Sequence, residues 1–318
     1  MGKNITPTVE GGLLAAITLL VGLVSVYVPI LGMFAEFFCA VPLAVLAARQ
    51  GAGKALSALF VTFILLSILI SPVLATRLAV SFGLCGVMLG WCVRKKFGAV
   101  KIFLSTLLVA SAAQILTLLM LIAVMDVNLI DTQIEMARES FDESFALYET
   151  MGVEQARIDE AKQQVEPILQ TLAFLFPTLI MLTALINSLA VWFTAHWIFP
   201  KLQLKIESLP PFAEWRFPPL FVYTALVGAL GLYWGFTRGW TGIYEIALNL
   251  LVVSALVGLV QGFSLLSAVF DRYKISKFMR RFFYVIVVLN MFFLQLVAIT
   301  GLVDMLFDYR KRLFKDTQ

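Results

Sequence analysis

Charged residues are scarce in this 318-residue chain: Asp, Glu, Lys and Arg make up 14% of it, whereas a soluble domain averages about 25%. Apolar residues make up 61%, which is more than a water-soluble fold of this length can bury. The composition excludes a soluble enzyme, a disordered protein and a nucleic-acid-binding protein. It predicts a protein whose main partner is the lipid bilayer.

Residues that carry metal or nucleophile chemistry are also scarce. The chain has one histidine, and its three cysteines (Cys39, Cys85 and Cys92) lie singly in apolar runs, so neither a zinc site nor a disulfide framework is indicated. The motifs HExxH and GxSxG are absent. At 51–55, GAGKA has alanine where a phosphate-binding loop needs Ser or Thr. We therefore expect no enzyme activity, catalytic residue, metal or cofactor.

Long apolar runs are abundant, and each needs about 20 residues to cross a bilayer as a helix. Only helices satisfy their own backbone groups in lipid at these lengths. The predicted fold class is all-α, a polytopic transmembrane helical bundle of eight or nine spans with an extramembrane acidic helical hairpin. The nine candidate spans are 11–28, 30–48, 55–71, 73–93, 102–125, 168–199, 218–236, 242–270 and 282–303.

The distribution of Lys and Arg predicts the orientation, because cytoplasmic flanks carry the excess. With the N-terminus in the cytoplasm and nine crossings, 15 basic residues lie inside and nine outside. Basic clusters flank 282–303 on both sides, so either the tail is outside or one segment does not cross fully. Eight full crossings, with the tail inside, is the preferred interpretation. The predicted location is the bacterial cell membrane.

One polar region interrupts the spans and sets the domain boundaries. Residues 126–166 hold eleven acidic and three basic residues, yet keep apolar residues at helical spacing on both sides of Gly152. This pattern predicts a hairpin of two helices outside the membrane. Either its apolar stripes pack on each other, or the hairpin serves as a lid or as a partner-docking surface. The predicted organisation is N-terminal helices 1–125, hairpin 126–166, a sixth span in 167–200, an interfacial linker 201–217, and C-terminal helices with a basic tail in 218–318.

Ionisable residues inside spans are costly and mark candidate sites. Glu36 lies seven residues after Pro29, and Arg77 lies five after Pro72, so both are expected in the outer leaflet on neighbouring spans. We predict an ion pair that lines a solute-binding cavity. The alternative is that both side chains extend to the headgroups.

Glu245 and Asn249 are four residues apart and share one helix face, which makes them further candidates for solute binding. Interhelical hydrogen bonding is the alternative for this pair, and it is the expected role of the isolated Gln114 and Asn187.

Small residues at spacing four predict close helix packing or partner docking, within one chain or between two. The pairs Gly11/Ala15 and Gly12/Ala16 lie on the first span, and Gly86/Gly90 on the fourth.

The N-terminal half, with its small-residue first span, Val28-Pro29-Ile30-Leu31-Gly32, the turn at 51–53 and Gly86-Val87-Met88-Leu89-Gly90, resembles the substrate-binding S components of energy-coupling-factor vitamin transporters. This resemblance implies a solute pocket on the outer side and a first span that docks an energising subunit. The extra spans and the acidic hairpin depart from the S-component pattern.

The whole chain resembles the YybS-like family of bacterial membrane proteins. The residues that carry this resemblance are PPFAEWRFPP at 210–219, Gln261-Gly262, Gly301-Leu302-Val303-Asp304, Asp308 and Arg310.

Two functions follow as hypotheses. The first is a small-molecule binding or uptake component that resembles a transporter S component and works with an energising subunit. The alternative is a structural or regulatory membrane subunit that docks other membrane proteins through its hairpin and small-residue faces, without transport.

Overall fold

The computed structural model describes residues 6–125 and 129–313, except the side chains of Met33, Val124, Met125, Leu129, Arg312 and Leu313. Asp126, assigned to the hairpin from the sequence, and Lys3 and Lys315, counted for the orientation, lie outside the described residues. Within this description all regular structure is helical. The α-helices are α1 (Pro7–Tyr27), α2 (Leu31–Gln50), α3 (Ala52–Leu69), α4 (Pro72–Leu78), α5 (Leu84–Arg94), α6 (Ala99–Met125), α7 (Leu129–Thr150), α8 (Gln155–Phe174), α9 (Phe176–Ile198), α10 (Leu220–Arg238), α11 (Thr241–Arg272), α12 (Lys277–Leu289), α13 (Met291–Phe307) and α14 (Tyr309–Leu313).

Several of these helices are long and apolar enough to cross a membrane. Among the described residues there are seven such segments, and an eighth if the bent pair α12 and α13 is one span. Helix α2 has 20 residues, of which only Glu36 and Arg49 are charged, and it matches the predicted span 30–48. The prediction of an all-α polytopic bundle is confirmed. The seven segments are Pro7–Tyr27, Ala52–Leu69, Pro72–Arg94, Ala99–Ala123, Phe176–Leu202, Leu220–Arg238 and Thr241–Arg272.

The chain divides into two compact units. The first comprises Met1–Val165 and Leu179–Ser208, and the second comprises Glu166–Thr178 and Leu209–Gln318. Each unit is described by itself.

In the first unit, α5 packs tightly on α2 because two glycines remove side chains from the contact. A Cβ atom on Gly86 would overlap the backbone carbonyl of Ala40, and one on Gly90 would lie 2.8 Å from the Cβ of Ala47. Real Cβ atoms do not approach so closely, so both positions require glycine. The Gly86/Gly90 face therefore makes a contact within the chain and is not free to dock a partner.

The two small-residue faces of α1 differ in their surroundings. Ala15 packs on the buried cluster formed by α2, α3 and α5, and its carbonyl oxygen accepts a hydrogen bond from Thr62 at 3.4 Å. Gly12 and Ala16 are exposed, and a Cβ atom on Gly12 would meet nothing within 4 Å. One face of α1 is thus used inside the unit, while the other remains available.

The predicted span 73–93 contains an irregularity that the sequence analysis did not anticipate. Its start follows common capping chemistry, because Ser71 caps the helix by accepting a hydrogen bond from the backbone nitrogen of Leu74 at 3.3 Å. Between α4 and α5, however, residues Ala79–Gly83 form a π-helical turn. Such a turn inserts one residue and redirects the side chains around it.

The acidic region forms two helices, as predicted, with Gly152 at the turn in a left-handed conformation (φ +78°). Ile158 and Phe145 are buried, and the Lys162 ammonium lies 3.4 Å from the Glu149 carboxylate of the other helix. These contacts fit the interpretation that the apolar stripes pack together.

The second helix of the hairpin extends further along the chain than the sequence predicts. Helix α8 continues to Phe174, and the chain breaks at Leu175 before α9 begins. The predicted span 168–199 is therefore not one helix.

In the second unit, α11 contacts both α10 and α13, and the contact with α13 is a glycine crossing. A Cβ atom on Gly301 would overlap the carbonyl oxygen of Gly258 and lie 2.5 Å from the backbone nitrogen of Gly262. The two backbones therefore touch, and no other residue type fits at Gly301.

The predicted span 282–303 is not one straight helix, because the chain bends by 104° between α12 and α13. Asn290 causes the break: its side-chain oxygen accepts hydrogen bonds from the backbone nitrogens of Phe292 and Phe293, at 3.0 and 3.3 Å. Asparagine is among the preferred N-cap residues, so a new helix starts where an apolar run would otherwise continue.

Candidate functional site

Glu36 and Arg77 meet in the first unit, from neighbouring helices. Glu36 is on α2 and Arg77 on α4, and Arg77 Nη2 donates a hydrogen bond to Glu36 Oε1. The Glu36 side chain is 18% exposed and that of Arg77 is 45% exposed. The pair lies at a cavity, although its role in binding a solute stays a prediction.

The cavity beside this ion pair has a volume of about 440 Å³. Small-molecule sites in proteins typically measure about 300–1,000 Å³. The cavity is therefore large enough for a small solute. It is lined by Ser25, Glu36, Phe37, Arg77, Ser81, Phe82, Gln114, Thr183 and Asn187.

Three of the lining residues carry polar groups with no partner in the described chain. Ser81, in the π-helical turn, is 3% exposed, and its hydroxyl makes no hydrogen bond. Asn187 on α9 is 7% exposed, and Gln114 on α6 is half-buried. Neither amide is hydrogen-bonded to a described residue, although helix–helix bonding is the expected role of such residues. All three residues line the cavity, and water or a ligand there would stabilise them because an unpaired polar group in hydrocarbon costs several kcal/mol.

An aromatic pair forms another part of the wall. The rings of Phe37 and Phe82 meet edge to face, with centroids 6.0 Å apart and planes at 70°. Phe82 is buried and Phe37 half-buried. The cavity thus combines an ion pair, neutral hydrogen-bonding groups and an apolar surface.

Glu245 and Asn249 belong to the second unit, where the side chain of Asn249 makes four hydrogen bonds to other residues of that unit. Its side-chain oxygen accepts from the backbone nitrogen and hydroxyl of Thr178, at 3.1 and 2.6 Å. Its side-chain nitrogen donates to the carbonyl oxygens of Phe174 and Glu245, at 2.7 and 2.9 Å. Asn249 thus joins α11 to the break between α8 and α9, which fits the bonding alternative. A solute-binding role for this pair remains a prediction without support from these contacts.

A second polar cluster, the Arg310 network, lies at the end of α13. Arg310 is 4% exposed, and its Nε lies 3.7 Å from the carboxylate of Asp304, which is 2% exposed. Gln261 on α11 donates to the same carboxylate at 2.6 Å. Arg310 also donates to Ser264 Oγ at 2.9 Å and to the carbonyl oxygen of Ala213.

The Arg310 network also holds the proline-rich linker against α11. Ser264 Oγ lies 2.6 Å from the carbonyl oxygen of Phe212 and 3.1 Å from that of Trp215. The backbone nitrogen of Phe217 donates to Gln261 Oε1 at 3.1 Å. The residues that carry the YybS-like resemblance therefore meet at one place in the second unit.

At the exposed edge of this network, Asp308 pairs with Arg216 of the linker at 2.9 Å and with Lys311 at 3.0 Å. Burial raises the pKa of Asp308, but the hydrogen bond from Lys311 and the charge of Arg216 outweigh burial and place the pKa below its ordinary value. Because the pKa is lowered by folding, the stabilisation from Asp308 is present at neutral pH and is lost as the pH falls through the lowered value.

The sequence analysis identified the charged pair but missed the neutral lining of the cavity. Ser25, Ser81 and Thr183 are ordinary helix residues by sequence, and only the packing of their helices brings them to one cavity. The isolated amides Gln114 and Asn187 were visible, but single polar residues are equally typical of helix contacts.

Comparison with known proteins agrees with the membrane fold. Residues 16–305 match the family model described as predicted membrane protein DUF2232. The chain is also similar to the uncharacterized protein YybS of Bacillus subtilis (strain 168), with 23% identity over 319 residues that cover 98% of this chain and 99% of the relative. No solved structure matches the chain. Because the family model covers most of the sequence, the chain belongs to the DUF2232 family of predicted membrane proteins.

Proposed function

We propose that this integral membrane protein binds a small molecule in the cavity beside Glu36 and Arg77, as the binding component of an uptake system. The observation that carries the proposal is a cavity of about 440 Å³ that is lined by Ser81, whose buried hydroxyl has no hydrogen-bond partner among the described residues, and by the amide residues Gln114 and Asn187. A purely structural helix contact would pair such groups with each other or with backbone. A solute that pairs with them would supply the missing hydrogen bonds.

The test compares two asparagines, one at the cavity and one in a helix contact. Asn187→Leu removes an amide that has no protein partner, so we expect the melting temperature of the detergent-solubilised protein to stay the same or rise. Asn249→Leu leaves several buried groups unpaired, at about 1–3 kcal/mol each, and is expected to lower the melting temperature by several degrees. The measurement is thermal unfolding with and without a panel of vitamins, nucleobases and amino acids.

A compound that stabilises the wild type but not Asn187→Leu would support binding in the cavity. The proposal would be wrong if no compound stabilised the wild type. If Asn187→Leu were also as destabilising as Asn249→Leu, the amide would act in packing.

An energising subunit would dock on the exposed side of α1. The Gly12/Ala16 face is the small-residue face of this helix that remains open, since Ala15 packs inside the first unit. This placement rests on the S-component resemblance together with the exposure of the face.

The protein would lie in the bacterial cell membrane with both termini in the cytoplasm. Within the second unit, Arg310 contacts Ala213 and Asp308 contacts Arg216, so the tail lies beside the linker that joins α9 to α10. The bend between α12 and α13 allows the chain to return to that side. With eight crossings the inner flanks hold 19 basic residues and the outer flanks five, a stronger bias than nine crossings give.

Labelling of introduced cysteines with an impermeant maleimide tests this topology. The natural cysteines are buried and serve as an unreactive background. We expect Gly152→Cys, in the hairpin turn, to react in intact cells. Lys205→Cys in the linker and Lys311→Cys in the tail should react only after permeabilisation. Labelling of Lys311→Cys but not Lys205→Cys in intact cells would show nine crossings instead.

A further inference from the structure

We propose that the ligand of the cavity is a zwitterionic α-amino acid with an apolar or aromatic side chain; this inference rests on the proposed function. Its carboxylate would bind Arg77, its ammonium group Glu36, and its side chain the surface of Phe37 and Phe82.

The charge of the cavity favours a ligand with no net charge. Among the nine lining residues, Glu36 is the one acid and Arg77 the one base, so their formal charges cancel. An anion or a cation entering the cavity would leave one charge uncompensated beside the Glu36 carboxylate, which is only 18% exposed, and an uncompensated charge removed from water is costly. A zwitterion keeps the sum at zero.

Both members of the ion pair have further hydrogen-bonding atoms, which are donors on Arg77 and an acceptor on Glu36. One hydrogen bond, from Arg77 Nη2 to Glu36 Oε1, joins the two side chains. Within the described residues, Arg77 Nε, Arg77 Nη1 and Glu36 Oε2 have no other hydrogen-bond partner. A guanidinium offers two parallel donors to a carboxylate, and a carboxylate accepts from an ammonium group. The two opposite charges of an α-amino acid, carried by groups on the same Cα atom, match two opposite protein charges in direct contact.

Besides the ion pair, the cavity has an aromatic surface next to neutral polar side chains. The edge-to-face rings of Phe37 and Phe82 offer an apolar surface to a side chain. The hydroxyl of Ser81 and the amides of Gln114 and Asn187 can pair with ligand oxygens and N–H groups. A compound with two opposite charges close together and one apolar side chain can contact the ion pair, the neutral polar groups and the apolar surface.

The experiment varies one ligand charge at a time. The full-length protein in detergent is titrated with L-phenylalanine, its methyl ester (which lacks the carboxylate) and N-acetyl-L-phenylalanine (which lacks the ammonium group). L-Leucine tests the apolar arm, and vesicles of phosphatidylethanolamine test a lipid headgroup with adjacent charges. We expect L-phenylalanine or L-leucine to raise the melting temperature, and the ester and the acetyl derivative to bind at least tenfold more weakly.

The matched variant is Glu36→Gln/Arg77→Gln, which removes both charges together and so leaves neither unpaired. We expect it to fold and to lose the response to the zwitterions, whereas Gly242→Ala, at a position where an added Cβ atom meets nothing within 4 Å, should keep it. Equal binding of ester, acetyl derivative and free amino acid, or competition by phosphatidylethanolamine alone, would overturn the amino-acid assignment.

The outcomes also separate this inference from the proposed function. If a neutral heterocycle stabilises the wild type but not Asn187→Leu, and no amino acid does so, the cavity binds a ligand but the assignment to amino acids is wrong. If no compound stabilises the wild type, both are wrong.

Discussion

Replacing Arg310 with methionine is expected to destabilise the protein by about 3–5 kcal/mol, the range typical of removing one partner from a buried ion pair. The physical reason is that the Asp304 carboxylate, 2% exposed, would lose its compensating charge. The linker would also lose the hydrogen bond that Arg310 donates to Ala213. The measurement is thermal unfolding in detergent, together with proteolysis of the linker around residues 209–219.

Two control variants test whether the destabilisation comes from leaving a buried charge unpaired. Asp304→Leu/Arg310→Met removes both charges and is expected to recover most of the loss, because apolar residues often replace buried ion pairs at little cost. Arg216→Met removes the exposed partner of Asp308 and should cost no more than about 1 kcal/mol. If Arg310→Met were as mild as Arg216→Met, the buried network would not support the second unit.

Adding a single methyl group at Gly301 is expected to disrupt the crossing of α11 and α13. A Cβ atom there would overlap the carbonyl oxygen of Gly258, which belongs to backbone and cannot rotate away. Overpacking a tight contact typically costs about 1–3 kcal/mol. The two helices would also have to move apart at a point only one helical turn away from the hydrogen bond between Gln261 and Asp304. We therefore expect Gly301→Ala to lower the melting temperature clearly and to expose the linker to protease.

The matched control lies at the start of α11. A Cβ atom on Gly242 would meet nothing within 4 Å, and alanine is the better helix former by about 0.5–1 kcal/mol. Gly242→Ala is expected to keep or raise the melting temperature. If Gly301→Ala melted at the wild-type temperature, the backbones would not be in contact at this crossing.

The residues of the candidate site differ in how far sequence could predict them. Glu36 and Arg77 stand out because ionisable residues are rare in apolar runs, and their distances from Pro29 and Pro72 place them at the same depth. Gln114 and Asn187 have the same sequence signal as Asn249, yet the structure gives Asn249 four protein hydrogen bonds and leaves the other two amides facing a cavity. The difference depends on which helix lies opposite, and this is not a property of local sequence.

The breaks in the helices show the same contrast. Ser71 and Asn290 are both N-caps, but Ser71 precedes a proline between two apolar runs, which is a typical helix start, while Asn290 lies inside one apolar run, where no start is expected. The π-helical turn at Ala79–Gly83 has no signal of its own in the sequence.

The amino-acid sequence alone predicts a set of helices in a bilayer, because apolar runs of about 20 residues satisfy their backbone groups in lipid only as helices. It also determined the acidic hairpin and its turn, since charge and helical spacing are local properties. The tertiary structure decided which glycines touch a neighbouring backbone, where the last apolar run bends, and which polar side chains share a cavity. Those outcomes depend on which helix faces meet in space, and in a membrane nearly every face is apolar, so the sequence pattern does not distinguish the buried faces from the exposed ones.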